Sequence, residues 1–459
     1  MVYSSLMFIY AFLPAALLLF YLTPKRFREE VLLIESMAFC FLISLYFLFF
    51  MAAYSFVNYL VGHIIGKLRK NEKLAAVPLT LGIIFDLIMI FGFRTKYFAW
   101  LHDMLHAPEG FYPVGISFFT LAAIGTLIDI YKGRVKADKS IVRYFLYIMF
   151  FPRLIMGPLL RYGVFTKALD SRRESLTNIG IGMSLFIKGL AKKVIAADNL
   201  YMLYSAVRSS DVDSLSAATA WIGITAYVFC LYFTLSGFAD MGTGIAYCFG
   251  LKFPQSFNYP LLSSRIKYFA ARWQSQVVQW IRRYITKPLY GVCTKKWIRE
   301  IVFVGGWTLF GFWYTVTPNG AIWGLLMGIA LIIENHILQR KTMDFTGIIY
   351  TFLVVIFCAV FLSGDSLGFS VQYLFAMIGG NGVIADEQFF YLVKSYIVLI
   401  LITLYASTSL FRNMIVRSGK GNIRNTVAVV STFAALAALI ICTALISYSG
   451  SSEMLLINL

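Results

Sequence analysis

The stretch PVGISFFTLAAIGTLIDIYKGRVKADK, Pro113–Lys139, sets the fold class of this chain. Through Ile130 its only polar side chains are Ser117, Thr120, Thr126 and Asp129. A helix of about 20 such residues crosses the hydrocarbon core of a bilayer. Directly after it come Lys132, Arg134, Lys136 and Lys139, against one acid, Asp138. Lys and Arg collect on the cytoplasmic side of membrane helices, so the stretch reads as a membrane helix that ends inside.

The same pattern repeats on both sides. Upstream, MVYSSLMFIYAFLPAALLLFYLTPKRFR has no basic start and no small-residue cleavage site, and its positive end is Lys25, Arg26 and Arg28. It is expected to form a first membrane helix with the N-terminus outside. The apolar block Val31–Ile65 is too long for one crossing and reads as two, returning to the basic KLRKNEK. Ala76–Phe93 then runs outward to a loop with His102, His106 and Pro108. Downstream, YFLYIMFFPRLIMGPLL (Tyr144–Leu160) carries Pro152, Arg153, Gly157 and Pro158 and is basic on both flanks. Equal charge at both ends favours a re-entrant segment, and broken backbone at membrane depth needs protein or a cavity around it.

Further along, Ser184, Lys188 and Lys192 recur at four-residue steps and form a polar stripe on one helical face. Two spans are expected within Ala217–Gly250. Lys252–Arg299 is rich in Arg, Lys, Trp and Tyr and suits an interfacial or re-entrant amphipathic helix. Helices over 301–317, 320–338, 346–363, 391–411 and 425–447 complete about 11–13 membrane or re-entrant segments.

Composition agrees. Of 459 residues, 59% are hydrophobic and 14% charged, with a mean hydropathy of +0.76. Soluble chains carry about 25% charged residues. The expected class is an all-α polytopic membrane protein, a single membrane domain over 1–459 with further helices over 346–447 beyond a core of about 1–340. A net charge of +18 would suggest nucleic acid in a soluble protein, but cytoplasmic loops account for it, and no nucleic-acid motif appears. Membrane lipid is the expected partner of the basic face. The six cysteines are scattered with no CxxC or Cys/His spacing, so neither disulfide framework nor metal site is indicated.

Several strings, in order, carry a resemblance. PVGISF…IDIYKG, FFPRLIMGPLLRY, AKKVIAADNL, LYFTLSGFADMGTGIAYCFGLKF, PLLSSRIKYFAARWQSQVVQWIRRYI and GWTLFGFWYT…AIWGLLMG follow one another between Pro113 and Gly328. The chain resembles the membrane-bound O-acyltransferases (MBOAT), in particular the bacterial branch of the alginate O-acetyltransferase membrane subunit. The D-alanyl transferase of teichoic acid is a more distant likeness. The resemblance implies a helical bundle around a central tunnel in a bacterial cytoplasmic membrane. It implies acyl transfer from a cytoplasmic thioester such as acetyl-CoA, with no covalently bound cofactor, towards an extracytoplasmic glycan. An extracytoplasmic acetyltransferase subunit would finish the transfer.

The same resemblance points to the site. The family's key histidine stands in GLWHG, with a second in RRWH; here Tyr314 and Gln274 occupy those positions. Met327 stands for a further histidine, Arg153 for that of FPHL, and Thr234 for the first aspartate of YFDFSGYSD. Structural marks persist: Asp129, Pro152, Gly157, Asp240, Arg272, Trp273, Trp313, Trp323 and Gly324. An acceptor hydroxyl must lose a proton as it attacks a thioester. Imidazole, with a pKa of about 6.5, takes it near neutrality, whereas a phenol of about 10 does not.

Two readings of Tyr314 therefore stand: divergent catalysis, or packing in the space of an imidazole. Asp240, Asp129, Arg272, Trp273, Trp313 and Arg153 are expected to line or brace the tunnel, with the carboxylates alternatively paired to Lys188, Lys192 or Arg272. Arg265, Lys267, Arg272, Arg282 and Arg283 fit either donor phosphates or anionic headgroups. His63, His102, His106 and His336 sit where helix ends meet water and are expected to be interfacial. A non-catalytic scaffold, or a lipid- or glycan-binding partner of an active acyltransferase or export complex, is the alternative to an enzyme. A transporter would call for inverted repeats with paired broken helices, which are not visible.

Overall fold

A computed structural model of the chain describes residues 2–95, 104–105, 107–108, 111–338, 345–408 and 422–449. Every regular element among them is helical. The first are α1 (Leu13–Leu22), α2 (Arg28–Ile43), α3 (Leu45–Leu68), α4 (Glu72–Arg94), α5 (Ile116–Tyr131) and α6 (Ile141–Met149). The one-turn α7 (Phe151–Leu154), α8 (Tyr162–Asp170), α9 (Leu176–Ala191), α10 (Asp198–Arg208) and α11 (Ala217–Cys248) follow. Then come α12 (Ile266–Arg272), α13 (Ser275–Ile281), α14 (Lys287–Val292), α15 (Lys296–Thr315), α16 (Pro318–Ile333), α17 (Phe345–Ser363), α18 (Leu367–Met377), α19 (Glu387–Ala406) and α20 (Asn422–Ser449). Among the described residues, six helices have the length and hydropathy to cross a membrane: α3, α4, α11, α17, α19 and the Val429–Tyr448 part of α20.

The structure corrects two expectations. Ala217–Gly250 holds one helix of 32 residues where two spans were anticipated. At 1.5 Å per residue it is about 48 Å long, well beyond the hydrocarbon thickness. Most of its apolar window is buried inside the protein, so its length answers to packing and not to the bilayer. Its internal glycines serve contacts and not turns: a Cβ on Gly244 would lie 2.5 Å from the Gly182 carbonyl oxygen. The Lys252–Arg299 region is a series of short helices in place of one amphipathic helix. A further short helix, α18, lies between α17 and α19.

The chain groups into two compact units, one of residues 1–187 and 238–255, the other of 188–237 and 256–458. In the first, the expected break at Phe150–Pro158 is present: α6 stops at Met149 and helix resumes only over Phe151–Leu154. Two glycines admit neighbours to it. Gly115, at φ +78°, has room for no side chain because a Cβ would sit 1.8 Å from the Leu154 carbonyl oxygen. A Cβ on Gly242 would lie 2.2 Å from that of Pro152.

In the second unit, Asp386 caps α19. Its carboxylate accepts from the Phe389 N–H at 2.9 Å and from the Thr219 hydroxyl at 2.6 Å. Burial alone raises its pKa, but the Thr219 hydroxyl, the Phe389 N–H and the Ser216 hydroxyl outweigh that and hold it below the usual aspartate value. A depressed carboxylate stabilises the fold above its unfolded pKa of about 3.9, and that contribution disappears as pH falls through the folded value. Asp386→Ala is expected to cost about 0.5–2 kcal/mol at neutral pH. The gap from wild type should close on acidification below about pH 4, as read by thermal unfolding in detergent.

Candidate functional site

The second unit carries Tyr314, Gln274 and Met327, the positions where the resemblance expects histidines. Its frame is the hairpin of α15 and α16, whose backbones touch through glycines. A Cβ on Gly311 would lie 2.1 Å from the Gly320 carbonyl oxygen, and one on Gly324 2.1 Å from that of Trp307. The hairpin turns at Val316, which adopts φ +55°, a left-handed conformation that a β-branched residue rarely takes. Thr317 then caps α16 by accepting the Gly320 N–H at 3.3 Å, and Pro318 occupies its first position.

Adding one methyl tests this contact. Gly324→Ala is expected to cost about 1–3 kcal/mol, because backbone and not a flexible side chain must yield. Gly180→Ala, where the Cβ meets nothing within 4 Å, should instead gain about 0.4–1 kcal/mol. Unfolding midpoints of the two variants in detergent should move in opposite directions.

Tyr314 lies on the buried face of α15, 2% exposed. Its ring is 5.9 Å from Phe310, 6.1 Å from Trp313 and 5.8 Å from Trp323. Trp273, from the junction of α12 and α13, approaches its hydroxyl. The RRW- and GFWY-type motifs therefore meet, with Trp273 at the contact and Gln274 beside it. Trp273 itself stacks on Phe269 at 5.3 Å and adjoins Phe257 at 5.7 Å and Tyr232 at 6.2 Å. Lys192, from the predicted polar stripe, stands 5.9 Å from the Tyr232 ring. Lys188 stands 6.0 Å from that of Tyr259. Met327 is fully buried on α16.

The α12–α13 junction is strained. Gln274 is held at φ +39°, which costs a non-glycine residue about 1–3 kcal/mol. Two backbone bonds fix it, Asn258 N–H to the Arg272 carbonyl at 3.2 Å and Ser275 N–H to that of Ser256 at 3.0 Å. The Gln274 Oε1 is buried with no hydrogen-bond partner among the described residues. Such a group can receive a substrate N–H or O–H, but an amide moves no proton. Arg272 is half-buried, 6.0 Å from the Tyr268 ring.

Glu334 is the residue that sequence reasoning passed over. It follows α16 and is 1% exposed, yet it reaches the start of α12. Its Oε2 accepts the Ile266 N–H at 2.6 Å; its Oε1 accepts the Lys267 N–H at 3.4 Å and the Arg265 Nε–H at 3.2 Å. One carboxylate therefore anchors the helix that leads to Trp273. A lone acid at the end of an apolar helix, in a chain with a basic segment that needs a counter-charge, was the available signal.

Other expected site residues lie in the first unit. Asp129 pairs with Arg134 at 3.0 Å and its carbonyl accepts the Arg134 N–H, bracing the end of α5. Arg153 is buried over the Tyr147 ring, 4.2 Å from its centroid, and donates to the Tyr147 carbonyl. Asp240 is half-buried on the last turns of α11. Of the histidines, His336 is exposed and 2.9 Å from Glu300, while His63 packs on Tyr59 at 5.2 Å. His102 and His106 lie outside the described residues. Among the described residues no group of three or more His, Cys, Asp or Glu is placed to hold a metal ion.

Comparison with known proteins bears on this constellation. The family described as MBOAT, membrane-bound O-acyltransferase family, matches residues 132–370. A probable alginate O-acetylase of Azotobacter vinelandii is 31% identical over 404 residues, covering 84% of this chain and 80% of its own. A peptidoglycan O-acetyltransferase of Helicobacter pylori is 28% identical over 436 residues, covering 83% and 81%. A teichoic acid D-alanyltransferase of Bacillus subtilis is 25% identical over 273 residues, covering 55% and 68%.

Proposed function

The chain belongs to the membrane-bound O-acyltransferase family, and from that premise we propose that it serves cell-surface polymer O-acylation without the family's histidine base. The similar proteins named for alginate, peptidoglycan and teichoic acid support a surface polymer as acceptor. Their bacterial sources support the cytoplasmic membrane of a bacterium as its place. The donor in this reading is a cytoplasmic acyl thioester, acetyl-CoA being the simplest, and an extracytoplasmic subunit carries the acyl group onward.

The chemistry is an acyl transfer. The acceptor oxygen bonds to the acyl carbon, the carbon–sulfur bond breaks, and the hydroxyl proton must go to a base. The observation that carries the reading is the setting of Tyr314: a phenol packed among Phe310, Trp313 and Trp323, with Trp273 at its hydroxyl. An ordinary phenol, with a pKa of about 10, holds its proton at neutrality and acts as a donor. Gln274 and Met327 supply no base at the neighbouring positions. Conventional transfer is therefore impaired in this protein. The same observation favours the second reading, a partner of an active acyltransferase that keeps the fold for binding.

The test is transfer of labelled acetyl from acetyl-CoA to a glycan by the purified full chain, with Tyr314→Phe alongside. Slow or absent transfer, unchanged in Tyr314→Phe, is expected. Robust wild-type transfer abolished by Tyr314→Phe would overturn the reading. Co-purification of the inactive chain with an active acyltransferase subunit selects the partner role.

A further inference from the structure

The first unit holds a buried polar cluster separate in sequence from the candidate acyl-transfer residues. Asp86 on α4 is fully buried, as is Asn58 on α3, and Tyr54 is nearly so. The Tyr54 hydroxyl donates to Asp86 Oδ1 at 2.6 Å, and the Asn58 amide donates to the same oxygen at 3.0 Å. Oδ2 is buried and receives no hydrogen bond among the described residues. No lysine, arginine or histidine among those residues pairs with Asp86.

The groups around it carry no compensating charge. From α3 come Tyr54, Asn58 and Ser55; one turn further, Tyr59 and His63 face each other at 5.2 Å. From α5 comes Phe119, 5.0 Å from Tyr54, while Asp129 at the far end of that helix is occupied by Arg134. From α6 comes Tyr144, whose electrostatic neighbours include Asp86. The Asn58 Oδ1, Ser55 Oγ and Tyr144 hydroxyl oxygen are buried and lack partners among the described residues.

The placement of donors points the same way. An ionised carboxylate shares its charge over two oxygens and draws donors to both. Two donors on Oδ1 and none on Oδ2 is an arrangement a neutral acid can take, carbonyl on Oδ1 and hydroxyl on Oδ2, and complete burial without a paired cation is what favours that form. An isolated ionised carboxylate in a low-dielectric interior is costly enough that neutralisation is the ordinary outcome.

We propose that Asp86, with its donors Tyr54 and Asn58, is a proton-binding site within the membrane-spanning helices, outside the acyl-transfer residues. The ligand is a single proton from solvent, carried on Oδ2. The proposal is independent of whether the protein transfers acyl groups.

Infrared spectroscopy of the full chain in lipid nanodiscs tests it, on a Glu35→Gln background because Glu35 is, among the described residues, a second buried carboxyl with an unbonded oxygen. Near neutral pH the background protein should show a protonated carboxylic carbonyl band that shifts down in heavy water and is missing in Asp86→Asn. Tyr54→Phe, which removes a donor to Oδ1, should move the band up without abolishing it. Sodium should leave it unchanged. No such band, or a band that survives Asp86→Asn, would overturn the proposal. Loss of the band on adding sodium would also overturn it, in favour of an alkali-cation site.

Discussion

Tyr314→His is expected to raise acetyl transfer by roughly 10²–10⁴-fold over the wild-type chain, the usual yield of a positioned general base. The position has the required company. Trp273 approaches the Tyr314 hydroxyl and the buried Gln274 is the next residue, so an imidazole at position 314 would have polar groups to orient it. The replacement is smaller than tyrosine, and the surrounding rings of Phe310, Trp313 and Trp323 would keep its site enclosed. The measurement is initial rate with labelled acetyl-CoA, across pH. A rate that rises with pH through the imidazole range of about 6–7 assigns the gain to a base. An unchanged rate with an unaltered unfolding midpoint would show that proton acceptance is not what this site lacks.

Glu334→Ala should destabilise the second unit by about 3–5 kcal/mol, the usual effect of breaking a buried ion pair from one side. The substitution removes the acceptor of two backbone N–H groups at the start of α12 and leaves Arg265 without its carboxylate. Glu334→Gln keeps one acceptor oxygen and should recover part of the loss. Thermal unfolding in detergent reads both. Because α12 leads directly into the strained Trp273–Gln274 junction, intrinsic Trp fluorescence of Glu334→Gln should also change. A variant with unaltered stability and fluorescence would refute the anchoring role.

The outcome at 217–248 shows why some elements were legible and others were not. Hydropathy is a property of each residue and its near neighbours, so the apolar helices at 45–68, 72–94, 345–363 and 387–406 are readable from the chain alone. A helix buried by protein has no bilayer to set its length, and α11 was divided by a thickness rule that does not govern it. The break at Phe150–Pro158 was legible because proline and glycine act locally.

The site divides along the same line. The sequence by itself determined the membrane class and the family, because both depend on residue type and order; from the resemblance it put forward Tyr314, Gln274 and Met327 as the positions where histidines are expected. Only the tertiary structure decided that Trp273 meets Tyr314 across 41 positions of chain, that Gln274 is held left-handed, and that Glu334 anchors α12. The same holds for Asp86, whose two donors come from another helix. Such contacts arise from the path of the backbone and the need of buried polar groups to find partners, and local sequence encodes neither distance nor partner.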